Sequence, residues 1–119
     1  MTIEVQKGFR YNLQTFAGDS GSLTISGIPT DSQNYVIYME VRGRTKIEKS
    51  ITLNGADSCI FDFSTSDTLS LGVGCWEYGV KLCNTETNTE DTLIPDLRFS
   101  DKAFFVVNSE KVEGLLNDS

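Results

Sequence analysis

Apolar and polar side chains alternate in short runs along most of this chain. Turn-forming residues break the runs about every eight to twelve positions, the rhythm of an all-β sandwich or barrel. The clearest run is Asn34-Tyr35-Val36-Ile37-Tyr38-Met39-Glu40-Val41-Arg42. Side chains alternate across a strand, so Tyr35, Ile37, Met39 and Val41 share a core face, and Val36, Tyr38, Glu40 and Arg42 share the other. Gly43-Arg44 reads as a turn into a strand from Thr45 to Leu53, closed by Asn54-Gly55, a pair that adopts positive φ at little cost. In Ser58-Cys59-Ile60-Phe61-Asp62-Phe63 the odd positions must point inward, because a one-residue slip would bury the Asp62 carboxylate.

The run Cys75-Trp76-Glu77-Tyr78-Gly79-Val80-Lys81-Leu82-Cys83 alternates again, with Trp76, Tyr78, Val80 and Leu82 inward and Glu77 and Lys81 outward. Between it and the Phe63 strand, Ser66 is placed to cap a single helical turn, with Leu69 and Leu71 plugging the end of the core. The run from Asn84 to Asp91 has no apolar residue and is predicted to be a solvated hairpin loop. Thr92-Leu93-Ile94 then begins a partner strand, Pro95-Asp96 interrupts, and Lys102 to Val107 completes the sheet. Earlier, Ser22 to Gly27 is a strand with Leu23 and Ile25 inward, and Phe9, Tyr11, Leu13 and Phe16 mark a less regular edge strand. The count is seven or eight strands around one core. The chain reads as a single β-sandwich domain over 1–109, with an acidic tail over 110–119 expected to fray.

Composition narrows the function. The 119 residues suit one domain, and 39% are hydrophobic, an apolar content slightly below the globular norm but that of a folded domain. Ten Lys and Arg face 17 Asp and Glu, a formal charge of −7, which speaks against a nucleic-acid partner because no surplus of cations exists to displace counterions from a phosphate backbone. There is no histidine, so the commonest general base and the commonest metal ligand are both missing. No run approaches the roughly 18 apolar residues of a membrane span, and Met1 to Lys7 lacks the pattern of a signal peptide. Cys59, Cys75 and Cys83 are odd in number, and the last two would lie about 26 Å apart on one extended strand. They read as reduced, half-buried small residues, with no metal-site spacing.

The remaining polar residues offer little chemistry. Two of Asp57, Asp62 and Asp67 could be imagined as the acid pair of a glycosidase, yet each is explained by an outward or turn position. Glu86, Glu90 and Asp91, or Asp96 with Asp101, could offer oxygen ligands to calcium, but no EF-hand spacing occurs. Glycines 18, 21 and 27 form neither a P-loop nor a dinucleotide fingerprint. No catalytic residue, cofactor or metal is therefore expected. The candidate interaction surface is the stripe Tyr38, Glu40 and Arg42, which mixes an amphipathic aromatic with arginine, both enriched at interface hot spots.

Taken in chain order, four features carry a family resemblance. A first strand ends near Gly18-Asp19 and is followed by Leu23-Thr24-Ile25-Ser26-Gly27. The long strand Tyr35 to Arg42 comes next. Asp67-Thr68-Leu69-Ser70-Leu71-Gly72 then leads into Trp76 to Leu82. A Thr-rich hairpin is followed by Phe104-Phe105-Val106-Val107. This resembles the immunoglobulin-like antiparallel β-sandwich domains of tailed-phage and prophage virion proteins, and is similar to the N-terminal domain of baseplate upper proteins. The resemblance implies a non-enzymatic virion structural protein of the baseplate, tail or capsid, assembled in the bacterial host cytoplasm with other virion proteins or with itself. Baseplate proteins continue into large receptor-binding regions, whereas this sequence stops at Ser119, so a compact attachment, adaptor or decoration subunit is expected. The alternative is a carbohydrate- or cell-surface-binding sandwich module, with a glycan as ligand.

Overall fold

A computed structural model describes residues 12–28, 35–95 and 102–109. Within them the chain forms β1 (Leu13–Phe16), β2 (Gly21–Ile25), β3 (Tyr35–Arg42), β4 (Lys46–Leu53), β5 (Cys59–Phe63), α1 (Thr65–Leu71), β6 (Gly74–Asn84), β7 (Thr89–Ile94) and β8 (Phe104–Asn108). The larger sheet runs β1-β8-β6-β3-β4, with β7 also on β6, and β2 pairs with β5 in a small second sheet. The fold is all-β and sandwich-like, as the alternation predicts.

β6 organises the larger sheet because its 11 residues are long enough to serve two partners on one flank. Its first residues pair with β8, Gly74 opposite Val107 through Glu77 opposite Phe104. Its second half pairs with β7, from Val80 opposite Ile94 to Asn84 opposite Thr89, with an irregularity between Val80 and Lys81. On the other flank lies β3, with Ile37 opposite Leu82, Met39 opposite Val80 and Val41 opposite Tyr78. All six of those side chains are buried, so the two strands meet with their apolar faces in phase. Leu23, Ile25, Phe61 and Phe63 of the small sheet close the same core. Phe105 lies at its centre, with its ring 5.3 Å from that of Phe63 and edge-on to Tyr78 at 6.4 Å.

Several sequence expectations are corrected. The sandwich is not wholly antiparallel: β1 runs parallel to β8, Leu13 beside Phe105 and Thr15 beside Val107. Alternation dictates which face of a strand is buried, and it is silent on the direction of the neighbour. The helix has seven residues, and its cap is Ser64, not Ser66: the Ser64 hydroxyl accepts from the Asp67 amide while Asp67 accepts from the Ser64 amide, a full capping box. Leu71 is sealed in the core, but Leu69 is on the surface, since residues two apart on a helix do not share a face. The predicted hairpin loop shrinks to residues 85–88, with Glu90 and Asp91 inside β7. Cys59 is buried, Cys75 exposed and Cys83 half-buried, so only the last matches the half-buried reading. Phe9, Tyr11 and the 110–119 tail lie outside the described residues.

Candidate functional site

The outward stripe of β3 lies on the solvent face of the larger sheet, where its neighbours are set by register. Tyr38 stands between Ser50 of β4 and Lys81 of β6, and Glu40 stands between Glu48 and Gly79. Two glutamates directly opposite each other would repel. Each has its own cation: Arg42 Nε reaches the Glu40 carboxylate at 3.1 Å and Lys46 Nζ reaches that of Glu48 at 2.9 Å. Residues i and i+2 of a strand share a face, which is why both pairs form within a single strand.

Glu48 is the diagonal neighbour of Tyr38 across β3 and β4, so the phenol faces its carboxylate on the outer side of the sheet. Partial desolvation and then the Glu48 carboxylate push the phenol up from its ordinary value. The Lys46 ammonium, and then the phenol, hold Glu48 below the usual carboxylate range. Lys46 is raised in turn, chiefly by its bond to Glu48. On the β6 side, Lys81 pairs with Glu90 of β7 at 3.7 Å, and Glu77 pairs with Lys102 at 3.5 Å.

These side chains surround a groove of ≈ 690 Å³ on the outer face of β3 and β6. Tyr38, Glu40 and Arg42 all line it, so the structure brings the sequence-chosen stripe together along one wall. Gly79 lowers the floor. A Cβ there would meet only the Ile94 carbonyl oxygen, at an ordinary 3.4 Å, so the position has room that no side chain uses. Val36, Cys83 and Pro95 add apolar surface, and Ser50 and Thr92 add hydroxyls. Sequence reasoning marked Glu77 and Lys81 as outward but missed their place in a site with Tyr38. It also placed Glu90 in a loop. What was lacking was the β3–β6 register, which no local pattern specifies.

The groove chemistry is that of paired charges and hydrogen bonds. Its one thiol, Cys83, is pushed up by burial and then by the charge of Glu90, the opposite of an activated nucleophile. Of the calcium candidates, Glu90 is committed to Lys81 and receives the Cys83 thiol at 3.9 Å, and Asp96 and Asp101 lie outside the described residues. Among the described residues no three His, Cys, Asp or Glu side chains are grouped to hold a metal ion. No helix among them is long and apolar enough to cross a membrane.

No protein-family model matches the chain, and no curated protein does either. Among solved structures, the N-terminal domain of phage TP901-1 ORF48 is similar in fold. The likeness covers 92% of this chain and 95% of that one, with a TM-score of 0.50 and 15% sequence identity. The fold is therefore of a kind found in a phage protein domain. That likeness is one of fold, and it does not carry the immunoglobulin-like label.

Proposed function

We propose that this chain is a non-enzymatic structural protein of a phage or prophage virion, a baseplate, tail or capsid-associated module that works by assembling with other virion proteins or with itself. The observation that carries this reading is the fold shared with the ORF48 N-terminal domain over nearly the whole length of both chains. Surface chemistry supports assembly. Among the described residues, three of the four exposed large hydrophobic ones, Phe16, Leu69 and Val73, belong to one end of the fold. Phe16 pairs with Asn108, and Val73 directly precedes Gly74, which pairs with Val107 in the adjacent row. The Gly18 amide donates to the Thr68 hydroxyl at 3.0 Å, which brings Leu69 to the same corner. Exposed large apolar side chains gathered at one end of a fold mark a contact surface. The net charge of −7 favours protein partners over nucleic acid.

The test is to induce the phage and probe purified virions for the chain with an antibody, alongside the double variant Phe16→Ser, Val73→Ser. The wild type is expected in the particle at a fixed ratio to other structural proteins. The double variant, folded with an unchanged melting temperature, is expected to remain in the unassembled pool. Virions that lack the wild-type chain overturn the reading.

A further inference from the structure

We propose that the outer-face groove binds an uncharged oligosaccharide, a function that goes beyond the assembly reading and does not use the apolar corner. The argument starts from the charge balance of the rim. Three carboxylates, Glu40, Glu77 and Glu90, are paired with three cations, Arg42, Lys102 and Lys81, on a chain whose formal charge is −7. Among the described residues the groove is thus an electrically balanced surface on an acidic protein. An ionic ligand of either sign would meet as many like charges as opposite ones, and its own hydration would be lost without return.

A neutral polyol faces no such penalty. Its hydroxyls donate to the carboxylates and accept from the ammonium and guanidinium groups, so each salt bridge of the rim can serve two neighbouring hydroxyls without being broken. Hydrogen bonds to charged groups are the stronger kind. The ion pairs are solvent-exposed, with 68% of the Arg42 side chain open, so each is worth little by itself and rearranges readily around a ligand. The floor supplies the complementary apolar contact. Tyr38 presents its ring on the outer face between Ser50 and Lys81, and Val36 and Gly79 flank it along the sheet. The C–H faces of a sugar ring pack on such a surface, and at Gly79 no side chain projects into the groove.

Shape separates this ligand from a second copy of the chain. A concave surface cannot be filled by an identical concave surface across a two-fold axis. The volume of ≈ 690 Å³ falls within the range of sites for small ligands.

The experiment uses the full chain. It is screened on an array of neutral, sialylated, sulfated and amino oligosaccharides, and the strongest neutral hit is titrated into ¹⁵N-labelled protein. Binding is expected to neutral glycans and to be weaker for every charged class. Amide shifts are expected at Val36 to Arg42, Gly79 to Cys83 and Thr92, and not at the Phe16 and Val73 corner. Gly79→Gln fills the floor without a backbone clash, so it is expected to fold with the wild-type spectrum elsewhere and to weaken binding at least about tenfold. Arg42→Gln, which unbalances the rim and removes a donor, is expected to weaken it as well. The proposal is overturned by the absence of any neutral hit at millimolar concentration, by preference for a charged class, by shifts confined to another surface, or by wild-type affinity in Gly79→Gln. Groove amides that respond to a co-expressed virion protein and to no saccharide would make the groove a protein-docking site, and the proposal would fall. None of these outcomes bears on whether the chain is found in virions.

Discussion

Lys49, on the core-facing side of β4, stretches past the Phe63 ring to the carboxylate of Asp67 in the first turn of α1, with Nζ 5.4 Å from the ring centroid and 3.2 Å from Oδ2. Its Cα neighbour across β3 is the buried Met39, so by strand parity it points the way Ile47, Ile51 and Leu53 do. A lysine there is tolerable because its methylene stem covers apolar surface while the ammonium emerges at the margin. The contact joins the last strand of the larger sheet to the helix that follows the smaller one. Cation, aromatic ring and capping carboxylate thus act at one point, where each alone would be a weak surface interaction.

The first prediction follows from Asp67. Partial burial raises its carboxyl, but the Ser64 amide and then the Lys49 ammonium outweigh this, and the net shift is downward from the ordinary 3.8. A carboxyl lowered in the folded state contributes stability that is fully present above the unfolded value and disappears as the pH falls through the folded one. Asp67→Asn keeps an oxygen acceptor for the cap but loses the charge. It is expected to be destabilised by about 1 kcal/mol at neutral pH, with the gap to wild type closing below pH 3.8. Urea unfolding across pH measures this, and a gap that stays constant into acid would refute it.

A second prediction concerns Thr68, which is 1% exposed and, among the described residues, the one polar residue buried with the core. Its hydroxyl accepts the Gly18 amide at 3.0 Å, and its hydrogen lies between the carbonyl oxygens of Asp19 at 2.9 Å and Thr65 at 3.1 Å. This ties α1 to the turn after β1, 50 residues away in sequence. Thr68→Val preserves the shape but orphans the Gly18 N–H, at a cost of about 1–3 kcal/mol. Thr68→Ser is expected to recover most of the loss. Hydrogen exchange adds a local check, since the Gly18 amide should lose protection in the Val variant first.

Much of this architecture is legible along the chain, and what is not has a common cause. The inward faces of β3, β5 and β6 follow from alternation alone, because Asp62 between two phenylalanines and Lys81 between Val80 and Leu82 leave one acceptable register. The Ser64 cap was equally readable, since Asp67 sits at the capping-box spacing that Ser66 lacks. Lys49 was not, because a lysine at an inward position contradicts the period and is rescued only by Asp67, which is 18 residues downstream. The parallel partner of β1 and the groove are likewise products of pairing between distant strands. Tyr38, Glu40 and Arg42 could be picked as an outward stripe, but their neighbours Gly79 and Lys81 become neighbours only once β6 is laid beside β3. Local pattern assigns faces, and register assigns sites.

The turn into β6 yields a third prediction. Gly72 adopts φ 80° and ψ 163°, a conformation essentially reserved for glycine, and its carbonyl accepts the Trp76 indole N–H at 2.8 Å. Gly72→Ala is expected to cost about 1–3 kcal/mol from the backbone alone. A new Cβ would also press on the Arg44 side chain at 2.8 Å, but that chain is flexible and can move away. Trp76→Phe, which removes only the indole donor from this turn, is expected to cost less, about 0.5–1.5 kcal/mol. Thermal melts of the two variants should rank in that order. An alanine variant as stable as wild type would show that the turn relaxes to an ordinary conformation.

The three thiols supply the last prediction, because they sample three environments in one chain. Cys75 is exposed on the outer face of β6, Cys83 is half-buried beside Glu90, and Cys59 is buried in β5. Alkylation requires thiolate and access together. Burial raises the Cys59 thiol, and burial followed by the Glu90 charge raises that of Cys83, so at mildly alkaline pH both carry less thiolate than an ordinary cysteine. Iodoacetamide followed by peptide mass spectrometry is therefore expected to mark Cys75 first, Cys83 more slowly, and Cys59 only as denaturant opens the core. Glu90→Gln separates the two effects at Cys83. Losing the carboxylate removes the repulsion on the thiolate and frees Lys81 to attract it, so the Cys83 rate should rise while that of Cys75 stays unchanged. If the rate at Cys83 does not move, burial alone controls that thiol, and the Glu90 side chain does not sit against it in solution.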